Sequence, residues 1–353
     1  MKSEPTPLLS DLVLVGGGHA HVHALKMFGM APLKSIIEEN GIQITLISST
    51  VLTPYSGMLP GIVSGHYTSE EIHLDLRKIC SFSGIRFIHA GATGITYDSD
   101  SGSGGGWISC SDGRPDVRYD TVSIDIGSSP AIPAGLYNEI DEVETVTPVK
   151  PIATFTQRWF SICDRLKKSP VDTYSPQKPF TLLVVGAGAG GIELALGAQY
   201  AMQNILKEKS HSDPGGSIKI IMATRGMILL PSHSEGVRLI FARILKERGI
   251  DVQYGAEAVG AISEVDENGI VQKSLKLSDS SCDRAKIDFD ECLWCTSAGA
   301  SSWLSDKTPF ETTHDGFIMV NETYESVSHK GVFSAGDCCY MVDNPRPKGK
   351  FGC

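Results

Sequence analysis

Two segments with the same pattern, an apolar strand followed by closely spaced glycines and a helix, constrain the fold of this chain most strongly. They are "DLVLVGGGHAHVHAL", from Asp11, and "TLLVVGAGAGGIELAL", from Thr181. A further apolar strand follows each of them, "IQITLISS" and "SIKIIMATRG", and strand-rich sequence comes next. Strand–helix–strand units imply parallel strands. The duplication therefore predicts an α/β fold with two Rossmann-like dinucleotide-binding domains, each a parallel sheet with helices plus an antiparallel β-meander.

The second segment contains a complete G-x-G-x-x-G motif, formed by Gly186, Gly188 and Gly191. In such a motif the first glycine permits a tight turn, the second lets the backbone approach a pyrophosphate, and the third lets helix and strand pack closely. The helix N-terminus that follows attracts phosphate charge. We therefore predict a dinucleotide site here, with a glycine-rich packing turn as the alternative.

The first segment departs from this motif after Gly18, because His21 occupies the position of the third glycine. A bulky side chain there is expected to push the helix, which we predict to extend to about Lys34, away from the strand. His19 lies close enough to an expected pyrophosphate to contact it, although a solvent-facing position at the helix start is equally compatible. A metal site built from His19, His21 and His23 is an alternative, but no nearby Asp, Glu or Cys completes a ligand set, so we predict no metal.

Neither unit has the acidic residue that usually binds the ribose hydroxyls at the end of the second strand. Ser48 stands there in the first unit, and Thr224, followed by Arg225, stands there in the second. An arginine without a carboxylate favours a 2′-phosphate and hence NADPH. The alternative is that Arg225 is an ordinary solvated residue at a strand end.

Charge and composition restrict the partners of this 353-residue chain. Its formal net charge is −10 and it has no long basic run, so we predict no nucleic-acid partner. Pro5, Pro7 and Asp11 interrupt the N-terminus, which is not typical of a signal peptide. Residues 181–202 are apolar, but their glycine pattern favours a strand and a helix over a membrane span. With nine irregularly spaced cysteines, we predict a soluble cytoplasmic or organellar protein that is not secreted.

Four further segments resemble a known family. They are "TPYSGMLPG" (53–61), "YDTVSIDIGSSP" (119–130), "LWCTSAGASSWL" (293–304) and "GFIMVNETYESVSHKGVFSAGDC" (316–338). In this order they resemble the FAD/NAD(P)-binding pyridine nucleotide-disulfide oxidoreductase superfamily, specifically its NADH dehydrogenase-like branch. That branch includes the flavoprotein half that is sometimes fused to selenide, water dikinase, and it tolerates a histidine-rich first glycine motif.

The resemblance implies two cofactors, FAD at the first glycine motif and NAD(P)H at the second. It implies a discontinuous FAD domain of residues 9–150 plus 295–353, and an NAD(P)H domain of residues 151–294. Asp337 would contact the FAD ribitol, and Glu193 would lie near the nicotinamide as the catalytic residue, although a first-turn acid favoured by the helix dipole is an equal alternative. The cofactor-binding residues predicted in all are Gly16, Gly17, Gly18, His19, Ser48, Gly127, Gly186, Gly188, Gly191, Thr224, Arg225, Gly299, Gly336 and Asp337.

We accordingly expect an oxidoreductase that passes a hydride from NAD(P)H to FAD and on to a quinone-like small acceptor. Disulfide reduction is disfavoured because no cysteine precedes Cys80, and the pair Cys292 and Cys295 lies along a predicted core strand. The chain ends where the resembling proteins continue with a helix facing the flavin, so we expect a C-terminally truncated member. That expectation motivates an alternative function, a non-catalytic nucleotide-binding sensor or partner subunit. The resemblance implies two further interactions, peripheral contact with a membrane and association with selenide, water dikinase.

Overall fold

The computed structural model describes residues 8–99, 104–130, 146–170, 173–209, 217–265, 271–278, 286–296 and 298–345. Two five-stranded parallel sheets form its framework. In spatial order, the strands of the N-terminal sheet are Val332–Ser334, Thr121–Ile124, Ser10–Val15, Ile42–Ser48 and Arg86–His89. Those of the central sheet are Thr147–Pro148, Glu291–Trp294, Phe180–Val185, Ile218–Thr224 and Asp251–Tyr254.

Each sheet has an antiparallel three-stranded meander beside it. The meander of the N-terminal sheet consists of Ala92–Ile95, Gly106–Cys110 and Val117–Tyr119. That of the central sheet consists of Ala258–Val265, Val271–Leu277 and Lys286–Phe289. The predicted fold class, with two parallel sheets and two meanders, is confirmed.

The remaining strands form three two-stranded pairs. They are Leu52–Pro54 with His73–Asp75, Ser129–Pro130 with Ala298–Gly299, and Ile318–Val320 with Cys339–Met341. The helices are His19–Phe28, Leu33–Glu39, Leu59–Val63, Leu76–Ser83, Ile152–Lys168, Ala189–Lys209, Glu235–Glu247 and Trp303–Asp306, and short 3₁₀ helices span Ser56–Met58 and Gly336–Cys338.

The first helix ends earlier than we predicted. Instead of one helix to about Lys34, there are two, His19–Phe28 and Leu33–Glu39, separated by a turn that contains Gly29 and Pro32. Proline lacks the N–H that a continuing helix needs, so the helical pattern restarts after Pro32.

The apolar runs of the sequence become the centres of the two sheets. Val13, Leu14 and Val15 are at most 3% exposed, and Leu182 and Leu183 are fully buried. Residues 181–202 form part of a buried strand and the helix Ala189–Lys209, as their glycine pattern predicted. Across the described ranges, no helix combines the length and apolar character that crossing a membrane requires.

Candidate functional site

The first glycine motif forms a tight turn at the carboxyl end of strand Ser10–Val15. Gly16 has φ +97°, and a Cβ atom there would overlap the carbonyl of Asp125. A Cβ on Gly18 would overlap the carboxylate of the same residue. The turn therefore requires glycine at both positions.

His21 fits where a third glycine was expected. Its side chain is 3% exposed, its Nδ1 lies 2.7 Å from the carbonyl oxygen of Gly16, and its Nε2 lies 2.9 Å from the hydroxyl of Ser123. Since the carbonyl can only accept, Nδ1 carries the proton, and in the neutral ring Nε2 accepts from Ser123. Burial lowers the pKa of His21, while the nearby Asp125 opposes this effect. The imidazole thus links helix and strand through hydrogen bonds in place of close glycine packing.

Asp125 is a residue of this site that the sequence analysis missed. It is 3% exposed, and its Oδ2 accepts the backbone N–H groups of Ala20 and His21 at 3.0 and 3.3 Å. It therefore caps the helix His19–Phe28 from another part of the chain. Burial raises the pKa of its carboxyl, against the effect of His21. The sequence does distinguish Asp125, because in "YDTVSIDIGSSP" it occupies the position where the family pattern D-x-x-x-x-A-T-G-S-x-P has alanine.

The loop still offers donors to an anionic ligand. Within the described part of the chain, the N–H groups of Gly17 and His19 have no protein acceptor. The His19 ring is half-buried and edge-on to Tyr55 with centroids 4.8 Å apart, and its Nε2 is buried without a partner. Burial lowers the pKa of His19. Ser48, also at the carboxyl edge, uses its hydroxyl locally, donating to the carbonyl of Thr50 at 2.9 Å. These residues fit a dinucleotide pyrophosphate, which backbone N–H groups at a helix start bind well.

The second motif has the geometry that its sequence predicted. Gly186 has φ +116°, and a Cβ on Gly191 would overlap the carbonyl of Gly186, so both are needed for the turn and the close helix packing. Gly188 is exposed, with nothing within 4 Å of where its Cβ would lie. Among the described residues, no protein acceptor meets the N–H groups of Gly188, Ala189 and Gly190. The open side of the turn therefore fits a pyrophosphate as well.

Thr224 ends the adjacent strand and Arg225 follows it, at the same edge of the central sheet. The Thr224 hydroxyl accepts the N–H of Gly226 at 3.3 Å, and its carbonyl accepts the N–H of Ala256 at 2.9 Å. Arg225 is exposed. Thr224 therefore stabilises the turn, while the side chain of the neighbouring Arg225 is open to solvent.

The carboxyl ends of the two sheets are joined. Ser129–Pro130 pairs with Ala298–Gly299, and these short strands follow a strand of the N-terminal and of the central sheet, respectively. Gly127, with φ +71°, makes the turn that leads into the first of them. The structure thus brings Gly127 and Gly299 to the junction between the two halves of the molecule.

Glu193 lies on the helix that connects these halves. A Cβ on Gly197 would lie 3.0 Å from the carbonyl oxygen of Pro60, so the helix Ala189–Lys209 packs closely on Leu59–Val63. Glu193 is one turn earlier and hence on the same side of the helix. Glu193 is exposed and, contrary to the first-turn alternative, lies beyond the first turn of the helix, while desolvation raises the pKa of its carboxyl.

Asp337 is held by a second residue that the sequence analysis missed, Lys150. The Lys150 Nζ lies 2.9 Å from both Asp337 Oδ2 and the hydroxyl of Ser128, and the two charged side chains are 24% and 33% exposed. Gly336, with φ +70°, lies close enough to Asp125 that a Cβ there would be 2.5 Å from its Oδ1. The predicted flavin residues Gly336 and Asp337 therefore adjoin the first glycine turn.

Cys292 and Cys295 do not form a redox pair. Cys292 packs in the core beneath the meander, and Cys295 packs on the helix-bearing face of the same sheet. Cys295 follows the last strand residue, Trp294, and the two thiols pack in different clusters on opposite faces of the sheet. Burial raises the pKa of Cys295 to about 12, which disfavours a reactive thiolate.

No group of three or more His, Cys, Asp or Glu side chains in the described ranges could hold a metal ion. His21 instead uses both ring nitrogens in hydrogen bonds to the protein.

Two glycine turns at the joined carboxyl ends of two parallel sheets define a class of protein, the α/β proteins that bind two dinucleotides. The profile of one family, "pyridine nucleotide-disulphide oxidoreductase", matches residues 10–350. The chain belongs to this family.

Solved structures share the fold at low sequence identity. NDH2 from Plasmodium falciparum in complex with NADH is 16% identical, with a TM-score of 0.72 over 94% of this chain and 64% of that one. Sulfide:quinone oxidoreductase from Aquifex aeolicus is 15% identical, with a TM-score of 0.67 over 94% and 69%. Water-forming NADH oxidase from Lactobacillus brevis is 14% identical, with a TM-score of 0.64 over 94% and 63%. The chain thus spans about two thirds of the length of these proteins. No curated protein sequence matches it.

These findings confirm the predicted superfamily and the oxidoreductase class, in which FAD and NAD(P)H are the cofactors. The fold alone is shared with the solved structures. The domain limits and the roles of individual site residues stay predictions.

Proposed function

We propose that this chain is an FAD-dependent oxidoreductase that takes a hydride from NAD(P)H and passes the electrons to a quinone or another small acceptor. The observation that carries the proposal is the junction of the two sheets, Ser129–Pro130 with Ala298–Gly299. It brings the carboxyl ends of both sheets, where such folds bind their ligands, to one place. Two dinucleotides bound at the two turns would approach each other there.

The N-terminal cradle, which we define as Gly16, Gly17, Gly18 and His19, would hold FAD. The free N–H groups of Gly17 and His19 would bind its pyrophosphate. Asp337 has one carboxylate oxygen on Lys150 and Ser128, and its other oxygen would accept a ribityl hydroxyl. FAD, when bound, supplies the redox chemistry, while the protein aligns the cofactors and excludes water.

The central cradle, which we define as Gly186, Gly188, Ala189, Gly190 and Gly191, would hold NAD(P)H. Its open backbone N–H groups would bind the pyrophosphate. Thr224 lies where the ribose binds in such folds, and the exposed Arg225 beside it would pair with a 2′-phosphate. Glu193, on the helix side that faces the N-terminal half, would orient the nicotinamide, and desolvation raises the pKa of its carboxyl.

The quinone-like electron acceptor is proposed by analogy with proteins of the same fold. NDH2 and sulfide:quinone oxidoreductase are among the structures that share this fold, and the separation of Cys292 from Cys295 disfavours a disulfide substrate. Peripheral membrane contact and association with selenide, water dikinase stay predictions from the sequence resemblance.

The proposal is tested with the purified protein and added FAD. We expect a flavin absorbance spectrum, bleaching by NADPH or NADH without oxygen, and recovery of the absorbance when a water-soluble quinone is added. A folded protein that binds no FAD would refute the proposal. FAD binding without bleaching would favour the non-catalytic nucleotide-binding protein instead.

Nucleotide preference is tested at Arg225. We expect Arg225→Ala to raise the KM for NADPH about tenfold or more, because a guanidinium–phosphate pair is a strong charge-assisted interaction, and to leave the KM for NADH nearly unchanged. Arg243→Ala, on the exposed face of helix Glu235–Glu247, is the matched control. Equal effects of Arg225→Ala on both nucleotides would exclude 2′-phosphate recognition by this residue.

A further inference from the structure

We propose that Asp125 couples the binding of FAD at the N-terminal cradle to the uptake of a proton, so that the chain holds this cofactor more tightly as the pH falls. The inference rests on the proposed function, because it takes FAD as the occupant. Asp125 is then a positioning residue whose charge sets how tightly this cradle binds FAD.

The carboxylate of Asp125 lies directly behind the loop that would receive the pyrophosphate. Its Oδ2 accepts the N–H groups of Ala20 and His21, in the first turn of helix His19–Phe28. Its main-chain oxygen accepts the N–H of Gly18 at 3.0 Å, and a side chain on Gly18 would overlap its carboxylate. The N–H groups of Gly17 and His19, the donors left for a ligand, flank the same glycine. A bound phosphate would therefore be a near neighbour of this carboxylate.

Asp125 forms no ion pair in the described part of the chain, and the basic side chains that interact with its charge are His21 and His19. His21, its nearest titratable neighbour, places Nδ1 on the Gly16 carbonyl and Nε2 on the Ser123 hydroxyl. The neutral imidazole satisfies both contacts, and burial favours the neutral form. The carboxylate is stabilised instead by the backbone N–H groups of Ala20 and His21 and by the helix dipole, and the same dipole would attract a phosphate.

Two other titratable groups, His19 and Cys338, interact with this carboxylate, and a third, Asp337, is the chain neighbour of Cys338. His19 is on the same helix, half-buried, with its Nε2 unpartnered. Cys338, on the 3₁₀ helix Gly336–Cys338, has a pKa raised to about 12 by burial and stays protonated. Asp337, next to it, is engaged by Lys150. Asp125 and His19 are therefore the groups whose protonation a bound anion could change.

The sign of the coupling follows from electrostatics. A bound pyrophosphate adds negative charge beside a buried carboxylate, and a nearby like charge favours the protonated form. The carboxyl of Asp125 already has a pKa raised by burial in the free protein, and the anion raises it further. Binding then takes up a proton, so affinity increases as the pH falls through the range between the free and the bound pKa.

The central cradle provides an internal comparison. At its helix N-terminus, the N–H groups of Gly188, Ala189 and Gly190 have no protein acceptor in the described ranges. The first turn of that helix contains no acidic residue. NADH binding at that cradle should not take up a proton through a buried carboxylate behind the loop, because Glu193, further along that helix, is exposed.

The experiment measures FAD binding to the whole chain by fluorescence titration between about pH 5.5 and 8.5, and by calorimetry in buffers of different ionisation enthalpy. For the wild type we expect proton uptake and a Kd that falls by up to about tenfold per pH unit as the pH decreases. Asp125→Asn keeps the carbonyl that caps the helix but removes the charge. We expect this variant to bind FAD more tightly at the upper end of the range and to lose the pH dependence.

Three results would overturn the proposal. They are FAD binding with no proton uptake by the wild type, proton uptake that persists in Asp125→Asn, and proton uptake that His19→Gln abolishes while Asp125→Asn does not. If Asp125→Asn fails to fold, calorimetry of the wild type and of His19→Gln still decides the point, because proton uptake that persists without His19 leaves Asp125 as its source, whereas uptake lost in His19→Gln would refute the proposal. Failure to bind FAD at any pH would refute the proposed function, which distinguishes that failure from loss of the coupling alone.

Discussion

At the scale of single residues, the two glycine cradles reach similar turns with different side chains. The central cradle uses Gly191 for close packing. The N-terminal cradle uses His21, which forms hydrogen bonds to Gly16 and Ser123. The histidine that departs from the motif is thus a structural substitute for a glycine.

Gly188 and Gly191 should respond differently to alanine. Gly191→Ala would overlap the carbonyl of Gly186 and should lower the free energy of unfolding by about 1–3 kcal/mol. Gly188→Ala meets no protein atom within 4 Å, so it should fold normally but bind NAD(P)H about tenfold or more weakly, since the methyl group occupies the pyrophosphate side. Thermal unfolding and nucleotide titration of both variants check this. Normal NAD(P)H binding by Gly188→Ala would contradict the proposed ligand position.

The buried His21 predicts a pH dependence of stability. Its pKa lies below the ordinary value of 6.5 because burial disfavours the charged form. On acidification below this value the unfolded chain binds a proton that the folded chain resists, so the free energy of unfolding falls as the pH falls. The raised pKa of Asp125 acts in the opposite direction.

His21→Gln retains Asp125 but removes the imidazole titration. Urea unfolding of wild type and variant from about pH 7.5 to 5 should therefore show a smaller acid-induced loss in the variant. An identical loss in both would assign the acid sensitivity to other groups.

At the scale of elements, the contact between helices Ala189–Lys209 and Leu59–Val63 decides how the two halves meet. Helix periodicity in the sequence indicates which side of the longer helix is apolar, but the glycine that admits its partner is recognised only in three dimensions. The close approach of Gly197 to the carbonyl of Pro60 leaves no room for a branched side chain.

We expect Gly197→Val to lower the free energy of unfolding by about 1–3 kcal/mol through overpacking. It should also slow flavin bleaching by NAD(P)H, since it displaces the helix that carries Glu193. Gly236→Val is the matched control, because Gly236 has open space around it in an exposed helix. Similar destabilisation of both variants would indicate a loss of helix propensity and no contact effect.

At the scale of the whole molecule, both ends of the described chain build the N-terminal sheet. Strands Ser10–Val15 and Val332–Ser334 each pair with Thr121–Ile124, and the central sheet is formed by the chain between them. A ligand at the N-terminal cradle also adjoins Asp337 and Lys150, so its binding should stabilise distant parts of the sequence together.

FAD should therefore raise the thermal unfolding temperature of the whole chain. At a free concentration of 100 times Kd the expected stabilisation is about 2.7 kcal/mol. Lys150→Met should reduce this shift by weakening the hold on Asp337, whereas Lys330→Met, distant from that carboxylate, should not. Differential scanning calorimetry with and without FAD checks both expectations. An equal shift in wild type and Lys150→Met would show that Lys150 has no part in the cofactor site.

Local pattern in the sequence was sufficient for the parallel sheets, the meanders and the two glycine turns. Alternation, apolar runs and the steric demands of a tight turn act over a few neighbouring residues. The same local information predicted too long a first helix, because Pro32 lies within an otherwise helical pattern. It also left the place of His21 open, since its partner Ser123 is about a hundred positions away.

Tertiary structure alone decided what surrounds the cradles. Asp125 caps a helix more than a hundred residues earlier in the chain, and Lys150 pairs with Asp337 across 187 positions. Such charges find each other only when the sheets bring distant segments to one edge. The sequence by itself determined that two dinucleotide-type units are present, because each unit is built from local chain geometry. The folded structure determined that they meet, and placed a buried acid behind the N-terminal cradle, because burial and charge depend on neighbours that the linear order does not contain.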